Sequence, residues 1–188
     1  MEETSEEHEP EEAEYDEHIW TSPNNAIKLV EGIKEKLSGI YPENKALYAK
    51  NTTNYISRLS EIDQKIRHLV ASSNQKELIF GDRFPFRYFT DEYGLKYYAA
   101  FPGCSEQTEP SSQTIAFLIN KAKADHLKPI LKIELTSDKL ASSIASEVGA
   151  KVLTLDSAHN ISSENFDKGL TYADIMEHNI EVLKEALN

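Results

Sequence analysis

Cysteine is nearly absent from this chain of 188 residues. The single Cys104 rules out an internal disulfide framework and any cysteine-rich zinc knuckle. No run of about 18 apolar residues occurs, and no basic region followed by an apolar stretch opens the chain, so neither a membrane span nor a signal peptide is visible. There is no stripe of Lys and Arg of the kind that tracks phosphates, which argues against nucleic acid as a partner. Gly-x-Gly-x-x-Gly, a Walker loop, His-Glu-x-x-His and Gly-x-Ser-x-Gly are all missing, and with them the common nucleotide-binding and catalytic motifs.

Charge is plentiful but unevenly placed. Acidic residues outnumber basic ones by 32 to 20, for a formal charge of −12. Ten of the carboxylates lie in residues 1–17, where there is no Lys or Arg, leaving 22 acidic against 20 basic in a nearly neutral body. Residues 2–16, Glu-rich with His8 and one Pro, have too little apolar surface to offset the entropy of ordering and are expected to be disordered. At 39% hydrophobic content, the rest can bury one core with a helical extension.

After the tract the periodicity turns helical. Ser22 can cap, Pro23 suits the first turn, and Ile27, Val30, Ile33 and Leu37 recur at helical spacing until Gly39 and Pro42 end the run. Residues 44–71 contain no Gly or Pro, and Leu47, Tyr48, Tyr55, Leu59, Ile62, Ile66 and Leu69 keep to one broad face of a second, long helix. From residue 76 onward short apolar runs at 77–80, 96–101, 129–135 and 151–155 alternate with helical stretches at 84–93, 111–126, 137–148 and 172–187. That order predicts an α/β lobe, a mostly parallel sheet of about four strands with helices on both faces.

In such sheets ligands gather beyond the carboxyl ends of the strands. The polar residues there are Asp82 after the first strand, Cys104 after the second, Glu134 at the end of the third, and Asp156 with His159 after the fourth. Carboxylate and imidazole together suit zinc or manganese. Each group also has an ordinary role: Asp after a strand is often a turn former or cap, and Asp-x-x-His has many innocent occurrences. His68, His126 and His178 sit in or at the end of helical runs with no second ligand type at metal spacing, and read as surface or core residues.

Several segments in combination resemble the extracytoplasmic solute-binding proteins of zinc and manganese ABC transporters. Asp16-Glu17-His18-Ile19-Trp20-Thr21-Ser22-Pro23 is similar to the family's Asp-Pro-His-Val-Trp-Leu-Ser/Asp-Pro, which supplies a metal-binding histidine. Arg87-Tyr88-Phe89 with Glu92-Tyr93-Gly94-Leu95, then Glu109-Pro110-Ser111, then Thr171-Tyr172 with Met176 and Asn179, match the family's later segments, and Asp156 falls where its metal-binding Asp is carried. The likeness covers about residues 16–188.

The resemblance implies the C-terminal part of a two-lobed binding protein that is not an enzyme. Residues 1–17 would be the remnant of an acidic metal-rich loop, 18–43 the end of an N-terminal lobe, 44–75 the connecting helix and 76–188 the C-terminal lobe; the family's first metal-binding His, and a signal and lipid anchor, would lie upstream. The implied cargo is zinc, or alternatively manganese, captured by a monomer at the cell surface or in the periplasm and delivered to an ABC permease. His18 and Asp156 are the implied ligands. The family's third ligand position holds Arg83, which has no lone pair to offer, so that role falls to Asp82, Glu134 or, preferably, His159. Two other classes stay open: a surface adhesin, as some family members are, and a metal-dependent hydrolase with Glu134 as general base.

Overall fold

A computed structural model of the chain describes residues 16–101 and 110–188. Its sheet has four parallel strands, β1 (Glu77–Phe80), β2 (Lys96–Ala99), β3 (Ile130–Lys132) and β4 (Val152–Thr154), in the order β2-β1-β3-β4. The helices are α1 (Pro23–Ile40), α2 (Lys45–Ser72), α3 (Arg87–Tyr93), α4 (Ser112–Ala124), α5 (Lys139–Val148), α6 (Ser163–Asp167) and α7 (Tyr172–Ala186). The expected α/β class and parallel sheet are therefore present. His8, Cys104, Glu109 and all of the acidic tract but Asp16 lie outside the described residues.

The pleat explains why both faces are covered, since successive side chains point to opposite sides. Leu78 and Phe80 of β1, with Leu131 and Leu155, enter one apolar cluster with Leu59, Ile62, Ile66 and Val70 of α2 and Met176, Ile180 and Leu183 of α7. Ile79 and Ile130 point the other way, into a second cluster with Leu118 and Ala122 of α4 and Ile144 of α5.

Element ends differ from the periodicity in instructive ways. The helix expected over 84–93 begins only at Arg87, because Pro85 disfavours helical backbone at Phe84; Phe84 and Phe86 instead pack on Phe80. Gly39 does not end α1, which runs on to Ile40 before Pro42. The short α6, capped by the Ser162 side chain, was not foreseen. The apolar face of α2 is covered only over its second half: Leu59, Ile62 and Ile66 are fully buried, whereas Leu47 is exposed. Across from it on α1, Ile33 and Ile40 are also exposed.

A hub of charge fixes α1 onto the lobe. The Glu92 carboxylate at the end of α3 accepts from the Ser22 hydroxyl, the Asn24 amide and, at 2.5 Å, the Arg67 guanidinium. Tyr93 next to it donates to Asp63 of α2 at 2.9 Å. Burial pushes the Tyr93 phenol far above its ordinary range, so it remains a donor at any physiological pH.

The carboxyl end of β1 is held close against α5 by a missing side chain. A Cβ built on Gly81 would lie 2.5 Å from the Ala141 Cα and 2.9 Å from its Cβ. Backbone cannot yield as a flexible side chain does, so Gly81→Ala is expected to cost about 1–3 kcal/mol. Urea unfolding checks this; an unchanged midpoint would show that α5 is free to move away.

Candidate metal centre

His18 sits in a tight local fold. Residues Ile19–Thr21 form one 3₁₀ turn, and both the Thr21 amide and its hydroxyl donate to the His18 carbonyl, at 3.1 and 2.8 Å. On the other side, Asp16 Oδ1 accepts from the His18 amide at 2.8 Å and lies 2.9 Å from Nδ1 of the ring. The residue is only 3% exposed. Two anchors bind the turn to the distant end of the chain: the Trp20 indole donates to the Ser157 carbonyl at 3.0 Å, and the Tyr172 hydroxyl donates to the Trp20 carbonyl at 2.7 Å. Burial raises the Tyr172 phenol well above its usual range, which keeps its proton in place for that bond.

The loop after β4 is organised by two side chains that do not belong to it. Glu134, at the end of β3, accepts from the Ser157 amide (2.8 Å), the Ser157 hydroxyl (2.7 Å), the His159 amide (3.2 Å) and the Asn160 amide (3.1 Å). Asn179 on α7 grips Asp156 in both directions, its oxygen accepting from the Asp156 amide at 2.9 Å and its nitrogen donating to the Asp156 carbonyl at 2.7 Å. The turn is tight enough to hold Ala158 at φ +54°.

Together these constraints bring the two ends of the chain into contact. The rings of His18 and His159 lie with centroids 5.3 Å apart, and Trp20 lies 5.4 Å from the first and 5.9 Å from the second. Asp156 stands three residues before His159 on the same loop, half-buried, its Oδ1 accepting from the Ala158 amide at 2.8 Å. Its carboxyl is pushed up, first by desolvation, against which the Ala158 bond and the nearby His178 act.

The predicted rim divides into two groups. His159 meets His18 beside the end of β4, on the loop that carries Asp156 and that Glu134 holds. Asp82 does not join them: its oxygens accept from the Arg83 amide (2.8 Å), the Ile133 amide (3.2 Å) and the Thr136 hydroxyl (2.5 Å), which makes it the clasp between β1 and the β3 loop. Arg83 lies there too, its guanidinium 5.6 Å from the centre of the Phe101 ring. Glu134 reaches the right place, but its oxygens are engaged by the loop. Among the described residues, the one set of three or more His, Cys, Asp or Glu side chains with ligand atoms within 4.8 Å of one another is Asp16, Glu17 and His18.

Of the histidines set aside, His68 is exposed on α2 and His126 is exposed at the entry to β3, opposite the rim. His178 is nearer than helical spacing suggested, since it bears on the ionisation of Asp156. Sequence reasoning missed the Trp20 indole, the Asn179 amide and the Asp16 carboxylate. All three stood inside the matched motifs, and Asp16 was also counted as the last residue of the acidic tract.

Residues 1–186 match the family described as ZnuA, zinc-uptake complex component A, periplasmic. The chain is 38% identical to the high-affinity zinc uptake system protein ZnuA of Bacillus subtilis over 92% of this chain and 53% of that protein. It is 34% identical to the zinc-binding lipoprotein AdcA of Streptococcus pneumoniae, over 92% of this chain and 34% of that one. It thus spans about half or less of the length of these relatives. The Zn(II)-bound ZnuA-like domain of the S. pneumoniae protein superposes with a TM-score of 0.77 at 33% identity, covering 92% of this chain and 64% of that one. The laminin-binding protein of Streptococcus agalactiae, described as bifunctional with adhesin and metal-transporting activity, gives 0.81 at 26% identity, covering 93% and 65%.

Two consequences are measurable. Replacing Glu134 by Ala strands the amides of Ser157, His159 and Asn160 and should cost about 3 kcal/mol in urea unfolding, with Glu134→Gln losing less because one oxygen still accepts. For Asp156, a folded-state carboxyl raised above its unfolded value favours folding fully only while protonated, and this contribution is lost as pH rises through the folded pKa. Asp156→Asn is therefore expected to unfold at higher urea than the wild type at pH 7, with the difference closing as the pH falls through the raised folded pKa and gone once it reaches the unfolded value of about 4. A difference that is constant across pH would show that the carboxylate carries no desolvation cost.

Proposed function

Because the chain belongs to the ZnuA family of periplasmic zinc-uptake components, whose members are metal-binding transport components and not enzymes, we propose that it captures Zn(II) outside the membrane for delivery to an ABC permease. The observation that carries this reading is the meeting of His18 and His159, drawn from opposite ends of the chain to a ring separation of 5.3 Å beside the loop that bears Asp156. Nothing in the packing of an apolar core calls for two imidazoles and a half-buried carboxylate at the carboxyl rim of a parallel sheet. Two imidazole nitrogens and a carboxylate oxygen suit zinc better than manganese, which favours a shell richer in oxygen.

In this reading His18, His159 and Asp156 are the ligands. Glu134 and Asp82 hold loops, and a carboxylate that already accepts four hydrogen bonds is poorly placed to serve as the general base of a hydrolase. Residues 76–188 form one lobe, and α2, about 42 Å long at 1.5 Å per residue, serves as a stiff connector whose second half is embedded in that lobe. Exposed Leu29, Ile33, Ile40, Tyr41 and Leu47, on α1, the turn after it and the first half of α2, are where an opposing lobe would pack. A cleft between lobes joined by such a helix admits only small tilts.

Trp20 is the only tryptophan and lies within 6 Å of both rings, so its fluorescence reports on the site. Titrating the chain with Zn(II) should show saturable binding that His159→Ala weakens about tenfold or more. His126→Ala should leave it unchanged. Equal, small effects of the two substitutions would reduce His159 to an ordinary loop histidine.

A further inference from the structure

We propose that Asp16 is a positioning residue for zinc capture, fixing which ring nitrogen His18 presents to the metal; this rests on the reading of His18 as a ligand. A neutral imidazole carries one proton, and the nitrogen that holds it is decided by the partner it meets. An ionised carboxylate only accepts. With Asp16 Oδ1 2.9 Å from Nδ1, the proton belongs on Nδ1 and the lone pair on Nε2. The same oxygen accepts from the His18 amide at 2.8 Å, so the backbone holds the carboxylate in register with the ring it orients.

Burial gives the contact its weight. The His18 side chain is 4% exposed and that of Asp16 12%, a setting where a hydrogen bond to a charged acceptor is little screened. A carboxylate on the far nitrogen also makes the imidazole a stronger donor to a metal. Asp16 is tied to the turn Ile19–Thr21 through His18. The rival role, direct coordination by Asp16, has its own geometric basis, because ligand atoms of Asp16, Glu17 and His18 lie within 4.8 Å of one another.

The experiment joins two readouts on the full chain. Long-range proton–nitrogen NMR of the metal-free protein, with His18 assigned by its loss in His18→Ala, reports the tautomer, and a Zn(II) titration reports affinity. In the wild type Nδ1 should give the protonated signature and Nε2 the lone-pair one. Asp16→Ala should mix or invert that pattern and weaken Zn(II) binding about 10–100-fold. Asp16→Asn, whose amide oxygen still accepts from both N–H groups, should keep the pattern and lose less affinity. An unchanged ring pattern in Asp16→Ala overturns the proposal, and if affinity then falls as far as in His18→Ala, Asp16 is a ligand itself. Unimpaired Zn(II) binding by Asp16→Ala, with His18→Ala impaired, overturns it while leaving zinc capture intact. Unimpaired binding by His18→Ala removes both.

Discussion

A carboxylate withdrawn from water must be given donors, and Glu134, 8% exposed, is given four, all from Ser157, His159 and Asn160. Hydrogen bonds to a charged acceptor contribute about 1.5–3 kcal/mol each, enough in sum to dictate the path of a short loop. The effect is to wrap residues 157–160 around the end of the neighbouring strand. His159 is then held at its backbone, and its ring is left to face His18. The turn at Ala158 is closed by Asp156, whose Oδ1 accepts from the Ala158 amide.

The opposite side of the site depends on the same loop. Trp20 reaches the Ser157 carbonyl, so the residue whose amide and hydroxyl Glu134 binds also fixes the indole, and through it the turn that carries His18. Tyr172 at the start of α7 and Asn179 two turns later complete the frame, one on the Trp20 carbonyl and the other on both backbone groups of Asp156. The two imidazoles therefore rest on one connected set of hydrogen bonds that joins β3, the loop after β4, α7 and the 3₁₀ turn. A set of this kind fixes the side chains it holds, and within it the Asp156 carboxyl is pushed up by desolvation.

The sheet was legible because each strand announces itself twice, by a short apolar run and by the helical stretch that follows, and all four strands fall within the expected segments. The ends were less so: Pro85 delays α3, and Gly39 is tolerated within α1, both local effects that periodicity does not register. The general rule for parallel sheets picks out polar residues at the carboxyl ends of the strands, but it cannot tell which of them hold loops. Asp82 and Glu134 look the same as Asp156 in sequence, and only the count of donors around each distinguishes them. The contact of Asp16 with His18 was not legible in composition, which averages over a tract, because a single hydrogen bond to a buried ring leaves no compositional trace.

Zinc capture by imidazoles from opposite ends of the chain is the central claim, and X-ray absorption at the zinc edge of the metal-loaded chain tests it most directly. The account predicts a mixed shell of nitrogen and oxygen at about 2.0–2.1 Å with the outer-shell scattering of two imidazole rings. A shell of oxygen alone, as the acidic tract by itself would give, or one containing sulfur at about 2.3 Å, would contradict it.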